Sequence, residues 1–329
     1  MKALALFSGG LDSLLAMKLI KDQGIKVVAL NFNIGFGAKK DKREFLENAT
    51  KQIDVELRLI DIREQFFDEI LFNPKYGYGK YFNPCIDCHA NMFRQAFSLL
   101  EEEGASFVIS GEVLGQRPKS QRKEALFQVN HLVGDKIGID EGLILRPMCA
   151  KLLPMSTPEK MGWVDREKLL DISGRGRERQ LKMVQDLGLK YYEKPGGGCL
   201  LTDISVAKRL KDITARRKAV RGDREISLYG RYFILPDGGR CVISRNEEEN
   251  QKLNIEHEKM QQIRIKEESW LGPVGLVDSE SSMRDKGLAA SLMLLYGKSQ
   301  LREYPLQIGE ANFFVVPFDS KQKAQEMMI

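Results

Sequence analysis

The sequence predicts an α/β protein in which a parallel sheet opens the chain, a basic middle region follows, and a smaller α+β domain closes it. Three observations carry this. From Ala3 to Ser110, short apolar runs alternate with stretches of helical apolar spacing, the pattern of a sheet covered by helices on both faces. Residues 174–231 hold 15 Lys and Arg against 7 Asp and Glu, in a chain whose net charge is only +5. Beyond about Ala215 the character changes, and the runs Tyr232 to Pro236 and Arg240 to Ser244 flank Asp237-Gly238-Gly239, a hairpin signal. The expected domains are 1–150, 151–214 and 215–329, and a length of 329 residues with 43% hydrophobic content allows each an ordinary core.

The first strand, Ala3 to Phe7, runs into Ser8-Gly9-Gly10-Leu11-Asp12-Ser13, and Leu14 to Gln23 has helical spacing that Gly24 ends. Two adjacent glycines let the backbone approach a ligand, while unpaired amides at a helix start and two hydroxyls face the same space, an arrangement suited to phosphate. Asp12 is out of place in an anion cradle unless a magnesium ion accompanies the phosphates, so magnesium-ATP (Mg2+ with ATP) fits better than orthophosphate. The stretch resembles the S-G-G-x-D-S signature of the PP-loop ATP pyrophosphatases and lacks the Gly-Lys-Ser/Thr of a Walker A loop. The resemblance implies an adenine nucleotide alpha hydrolase-like domain that cuts ATP between its alpha and beta phosphates, with Ser8, Gly9, Gly10, Asp12 and Ser13 on the nucleotide and Asp12 catalytic.

Lys26 to Phe32 reads as the second strand, Lys42 to Gln52 as a helix, Val55 to Ile60 as the third strand and Arg63 to Leu71 as a helix. Ligands of such sheets sit at the carboxyl ends of the strands, which puts Asn31 and Phe32 beside the nucleotide; the family resemblance implies that they support the adenine. Asn73 to Pro84 is rich in Gly, Tyr, Asn and Pro and marks a loop. It delivers Cys85-Ile86-Asp87-Cys88 to the start of a helix from about Ala90 to Glu103, where the helix N-terminus would make either cysteine a thiolate near neutral pH. The stretch Asn83 to Phe93 resembles the catalytic-cysteine segment of the tRNA 2-thiouridylases, and cysteine at both positions resembles the iron-sulfur variants of the tRNA thiolation enzymes. Ser106 to Ser110 is the fourth strand. Its exit, Gly111-Glu112, corresponds by resemblance to a nucleotide-contacting turn, with Glu112 where a histidine is usual. Gln116 to Arg122 has no apolar period and is expected as an exposed basic loop beside the site.

Arg175, Arg177 and Arg179 lead into a helix ending near Gly188, and only some of them can share a face. Pro195-Gly196-Gly197-Gly198-Cys199 implies close backbone packing, and it stands where thiouridylases carry their second catalytic cysteine. The resemblance therefore groups Cys199 with Cys85 and Cys88 and makes Cys88 and Cys199 catalytic, whereas Cys149 and Cys241 read as small core residues. Three readings stay open for the group. Zinc would need a fourth ligand from Cys149, Cys241 or His89. A redox pair would carry a persulfide and release sulfur by forming a disulfide. A [4Fe-4S] cluster on Cys85, Cys88 and Cys199 would leave its fourth iron open to hydrosulfide, and the presence of all three cysteines favours it.

The C-terminal hairpin, with Ala289-Ala290-Ser291-Leu292 and Tyr296-Gly297-Lys298, resembles the NFACT-R RNA-binding module. Together these resemblances imply an ATP-dependent tRNA sulfurtransferase: a uridine carbonyl oxygen is adenylated and replaced by sulfur. They also imply tRNA and a sulfur donor (a cysteine desulfurase, a sulfur carrier or free sulfide) as partners. The rivals are a PP-loop amidotransferase or ligase acting on a small molecule, and a non-catalytic ATP-sensing RNA-binding factor. No apolar run reaches the length of a membrane span and Met1-Lys2 enters the first strand directly, so no membrane partner and a cytoplasmic protein are expected; a homodimer is compatible with the sequence.

Overall fold

Inner strands whose odd and even residues are both apolar must be covered on both sides. The computed structural model, which describes residues 1–37, 42–137, 140–193, 198–267 and 270–329, meets that requirement. Strands β1 (Lys2–Leu6), β2 (Lys26–Asn33), β3 (Glu56–Asp61), β4 (Phe107–Ser110) and β5 (Ile144–Leu145) form a sheet of order β3-β2-β1-β4-β5, parallel throughout. Ala3, Ala5, Val27 and Ala29 pack with Leu14, Met17 and Ile20 of α1 (Leu11–Lys21) and with Leu46 and Ala49 of α2 (Arg43–Lys51). Leu4, Val28 and Leu30 face the other way, toward Ile86, Phe93 and Phe97 of α4 (Cys85–Ser98) and Val129 of α5 (Lys123–Ile137). Between them, α3 (Arg63–Phe66) continues as a π turn over Phe67–Leu71.

Strand order turns around at β1, which pairs with β2 on one side and β4 on the other. The crevice beyond their carboxyl ends is where such sheets bind ligands, and Ser8 and Gly111 stand there. The chain then passes through α6 (Thr157–Lys160), started by a Ser156/Glu159 capping box, to α7 (Glu178–Asp186). Val184 of α7 joins Leu11, Leu15 and Ala16 of α1 in one cluster. Packing divides the chain into two units, Met1–Leu201 and Thr202–Ile329.

The second unit is an antiparallel sheet with helices on its faces. It contains α8 (Ile204–Arg216), α9 (Asp223–Leu228), β6 (Arg231–Ile234), β7 (Arg240–Ile243), α10 (Glu247–Leu253), β8 (Met260–Ile265), β9 (Gly275–Asp278), α11 (Met283–Tyr296), β10 (Tyr304–Ile308), β11 (Ala311–Val315) and α12 (Lys321–Glu326). The strand order is β11-β10-β8-β9-β7-β6. The expected hairpin is β6–β7; Gly238 takes φ +92 in its turn, and buried Asp285 of α11 accepts from the amides of Asp237 and Gly239 at 3.2 and 2.8 Å. No described helix of either unit is long and apolar enough to cross a membrane.

Candidate active site

The loop after β1 is shaped by close backbone approaches. Gly9 has φ +83, and a Cβ there would lie 2.9 Å from the Leu46 side chain. A Cβ on Gly111 would collide with the backbone of Asp12 and Ser13, so the exit of β4 can pass the first turn of α1 only as glycine. Ser13 Oγ donates to Gly10 O at 2.9 Å, and Ser8 Oγ lies 3.4 Å from Ser13 Oγ. No side chain caps α1 among the described residues, so its first amides stay available to a ligand near the two hydroxyls. Asn31 Nδ2 donates to Phe7 O at 2.8 Å and fixes the entry of the loop, while Phe32 is half-buried against the sheet core. From the far side the amide of Glu193 donates to Gly9 O at 2.8 Å, and its carboxylate pairs with Lys42.

Asp12 is held by residues from two later segments. Gln116 Nε2 donates to it at 2.6 Å and Gln180 Nε2 at 3.3 Å, Gln180 also donates to Gln116 at 3.3 Å, and an Arg177 amino group lies 3.5 Å from its carboxylate. This corrects part of the expectation of an exposed basic loop over Gln116 to Arg122: Arg117, Pro118 and Arg122 are exposed, but Gln116, Ser120 and Gln121 are buried. A polar residue that buries by hydrogen bonding leaves no apolar period to read. Of the expected arginine series, Arg177 reaches the site, while Arg179 pairs with Asp171 at the surface.

The cysteines converge from two directions. Cys85 opens α4 and Cys88 follows one turn later, so both leave the same face of the helix. The amides of Lys75 and Tyr76 donate to Asp87 at 2.7 and 3.1 Å, folding the preceding loop onto the helix start, and Asn83 Nδ2 donates to Cys85 Sγ at 3.0 Å. Cys199 arrives separately. The Leu200 amide donates to Phe36 O at 2.8 Å and the Phe82 amide to Leu201 O at 3.2 Å, pinning this segment between the loop after β2 and the loop before α4. Pro195, Gly196 and Gly197 of the expected glycine run lie outside the described residues.

Burial, then the neighbouring Cys199, Cys85 and Asp87, push the Cys88 thiol well above its ordinary range. Burial likewise pushes Cys199 up to about 11, with the Leu201 amide partly offsetting it and Cys85 adding to it. These shifts reverse the expectation of a thiolate at Cys88 near neutral pH, because desolvation there outweighs the helix terminus. Among the described residues, no group of three or more His, Cys, Asp or Glu side chains is gathered tightly enough to hold a metal ion as it stands. The donor chemistry nevertheless suits one: Cys85, Cys88 and Cys199 are soft thiol ligands, and a bound cationic metal would favour the thiolates that burial disfavours at Cys88 and Cys199. Cys149 and Cys241 are core residues, fully buried as expected.

Glu112, where the resemblance led to histidine, is the centre of a buried network that the sequence did not signal. His89 Nδ1 donates to Oε1 at 2.7 Å, since a carboxylate can only accept, and Arg146 Nε donates to Oε2 at 2.7 Å. Arg146 also reaches Asn130 at 3.0 Å. Burial alone would raise the Glu112 carboxyl, but Arg146 and His89 outweigh it and hold it at about 2. The residue after Cys88 is thereby tied to the residue after Gly111.

Residues 2–88 match the Arginosuccinate synthase N-terminal HUP domain family, and residues 230–312 match the NFACT protein RNA binding domain family. The tRNA-specific 2-thiouridylase MnmA of Desulfosudis oleivorans is 32% identical over 109 residues, covering 32% of this chain and 30% of that protein. MnmA of Petrotoga mobilis is 31% identical over 130 residues, covering 34% and 35%. The chain thus spans about a third of the length of the curated relatives it matches. Among solved structures, the U34-tRNA thiolase NcsA from Methanococcus maripaludis with its [4Fe-4S] cluster aligns at TM-score 0.34 and 18% identity over 69% of this chain and 70% of that one. Residues 2–88 are thus similar to a HUP domain, residues 230–312 to an NFACT RNA binding domain, and about a third of the chain to MnmA-type tRNA 2-thiouridylases.

Proposed function

We propose that this protein is an ATP-dependent tRNA thiolase that converts a uridine to thiouridine. The observation that carries the reading is that the segment of Cys199 is bonded through Leu200 to Phe36 and through Leu201 to Phe82, next to the first turn of α4 that bears Cys85 and Cys88, at the same end of the sheet as Ser8 to Ser13. An amidating or small-molecule ligase leaves that arrangement without a task.

Ser8, Gly9, Gly10, Ser13 and the first amides of α1 take the ATP phosphates, with Phe32 and Asn31 on the adenine side and Gly111 keeping the turn open. Asp12, oriented by Gln116 and Gln180, offers a carboxylate to magnesium, which offsets phosphate charge. The uridine carbonyl oxygen attacks the alpha phosphorus and pyrophosphate leaves; sulfur then displaces AMP from the adenylated base. To reach the nucleotide the base must leave its stack, which requires grip on the flanking RNA backbone; the basic region 151–214 and the C-terminal domain 215–329 supply it. Cys85, Cys88 and Cys199 would hold a [4Fe-4S] cluster, whose chemistry is to present inorganic sulfide as the nucleophile. In the metal-free version Cys199 carries a persulfide and Cys88 releases its sulfur by forming a disulfide.

The test is anaerobic purification with iron and acid-labile sulfide analysis, paired with thiolation of bulk tRNA by wild type, Cys88→Ser and Cys199→Ser. Iron and sulfide that vanish in Cys88→Ser, with thiolation lost in Cys199→Ser while ATP still binds, support the cluster version. Thiolation by iron-free protein selects the persulfide. Pyrophosphate release without RNA, and no thiouridine under any condition, would overturn the thiolase reading in favour of a small-molecule ligase.

A further inference from the structure

The antiparallel sheet of the second unit is covered unevenly. On one face α11 packs against Phe233, Cys241, Val277, Leu306 and Ile308. On the other, Ile213 of α8, Ile226 of α9 and Leu253 of α10 meet Tyr232, Val242, Leu276 and Met260, which belong to β6, β7, β9 and the first residue of β8. On the β8–β10–β11 side of that face Arg264, Asn312 and Phe314 are exposed and Gln262, Pro305 and Gln307 half-buried.

Strand register fixes what it displays. Pro305 stands opposite Phe314, and Gln307 stands opposite both Asn312 and Arg264; the Lys266 amide donates to Pro305 O at 2.9 Å. Two rows therefore cross three strands, Phe314–Pro305–Lys266 and Asn312–Gln307–Arg264. Alternation sends Phe313 and Leu306 into the core beneath α11 and leaves Phe314 71% exposed. Arg264, Lys266 and Asn312 are exposed as well, and Lys266 Nζ donates to Asn312 Oδ1 at 2.7 Å, which leaves the amide nitrogen of Asn312 to donate outward. The six positions hold two cations, two amides, a proline and a bare aromatic ring, and no carboxylate.

Pro305 and the 47%-exposed Val316 flank the ring, an apolar patch too small for the core of a protein interface. A duplex keeps its bases stacked inside, out of reach of a ring on a flat sheet. Cations that meet phosphates, amides that meet base edges and one open aromatic face match an unpaired, unstacked polyanion. We infer that the outer face of β8, β10 and β11 is a platform for single-stranded RNA, with Phe314 stacking on a base and Arg264 and Lys266 pairing with flanking phosphates. The platform spans about two to three nucleotides, given strands about 4.8 Å apart. It rests on the RNA-directed reading above and names where that RNA is held.

The experiment titrates the full chain with a fluorescein-labelled single-stranded RNA of about 12 nucleotides, a length chosen to exceed one stacking platform, and with a blunt RNA duplex of equal length. Phe314→Ala should weaken single-strand binding about ten-fold or more while leaving duplex binding and the thermal midpoint unchanged. Arg264→Gln with Lys266→Gln should lower the salt dependence of single-strand binding by about one to one and a half in log–log slope. Phe314→Trp should keep binding and add indole emission that the single strand quenches. If wild type binds the single strand and Phe314→Ala binds it equally well, the platform is overturned while the RNA-directed reading stands. If wild type binds neither RNA, both fall. If Phe314→Ala instead changes the sedimenting species with no effect on RNA, the face is a self-association surface and the platform is overturned.

Discussion

Gly111 owes its identity to a neighbour rather than to its own dihedral angles: the backbone of Asp12 and Ser13 fills the space a Cβ would need. Gly111→Ala should push the first turn of α1 aside, cost about 1–3 kcal/mol of stability as an overpacked site, and weaken magnesium-ATP binding. Unchanged nucleotide affinity by calorimetry would show that the turn does not shape the phosphate cradle. Glu112 makes a different demand. Its folded carboxyl is held at about 2 against an ordinary 4.5, so the stability it contributes is fully present above about pH 4.5 and is lost as pH falls toward 2. Glu112→Gln leaves Arg146 buried without its counter-charge and should cost about 3–5 kcal/mol at neutral pH. The variant should also show a flatter decline between pH 4.5 and 2 than wild type, and parallel acid-unfolding curves would refute this assignment.

At the level of elements, α7 and the turn holding Gln116 act as a clasp on Asp12. Both glutamines bond one carboxylate, so Gln116→Ala, which removes the shorter bond, should weaken magnesium-dependent ATP binding by about ten-fold, the size of one hydrogen bond to a charged group. Gln180→Ala should do less, and the double variant should fall short of the sum; strict additivity would mean the two do not share Asp12. The elements themselves were largely legible. The first four parallel strands declared themselves by short apolar runs and Gly24 marked a real boundary, because strand burial and chain punctuation are written locally; β5, only two residues long, was not read as a strand. The start of α4 was not legible, since Cys85 to His89 carry too few apolar residues to show a helical period before Ala90. Neither was the clasp: Gln116, Arg177 and Gln180 bury through hydrogen bonds and charge, and their partner lies more than a hundred residues away in sequence. The Glu112–Arg146–His89 network escaped for the same reason, its three members lying in different elements.

Across the whole molecule, two units with separate cores should unfold as two transitions, and the phosphate loop belongs to only one of them. Magnesium-ATP at about a hundred times its dissociation constant adds about 2.7 kcal/mol to the state that binds it. Calorimetry should therefore show a single transition moving upward by several degrees; a shift of both, or of neither, would contradict the assignment of the nucleotide to Ser8 to Ser13. One attachment within the first unit reaches further than its size suggests. Glu193 is fastened to Gly9 through its amide and to Lys42 through its carboxylate, and Cys199 follows within a span that even fully extended chain stretches to only about 20 Å. Cys199 is thereby bracketed, by the Glu193 bonds before it and by the Leu200–Phe36 bond after it. In the proposed reaction its sulfur would act from a fixed post only a short length of chain from Ser8 to Ser13, and delivery would be a matter of reach.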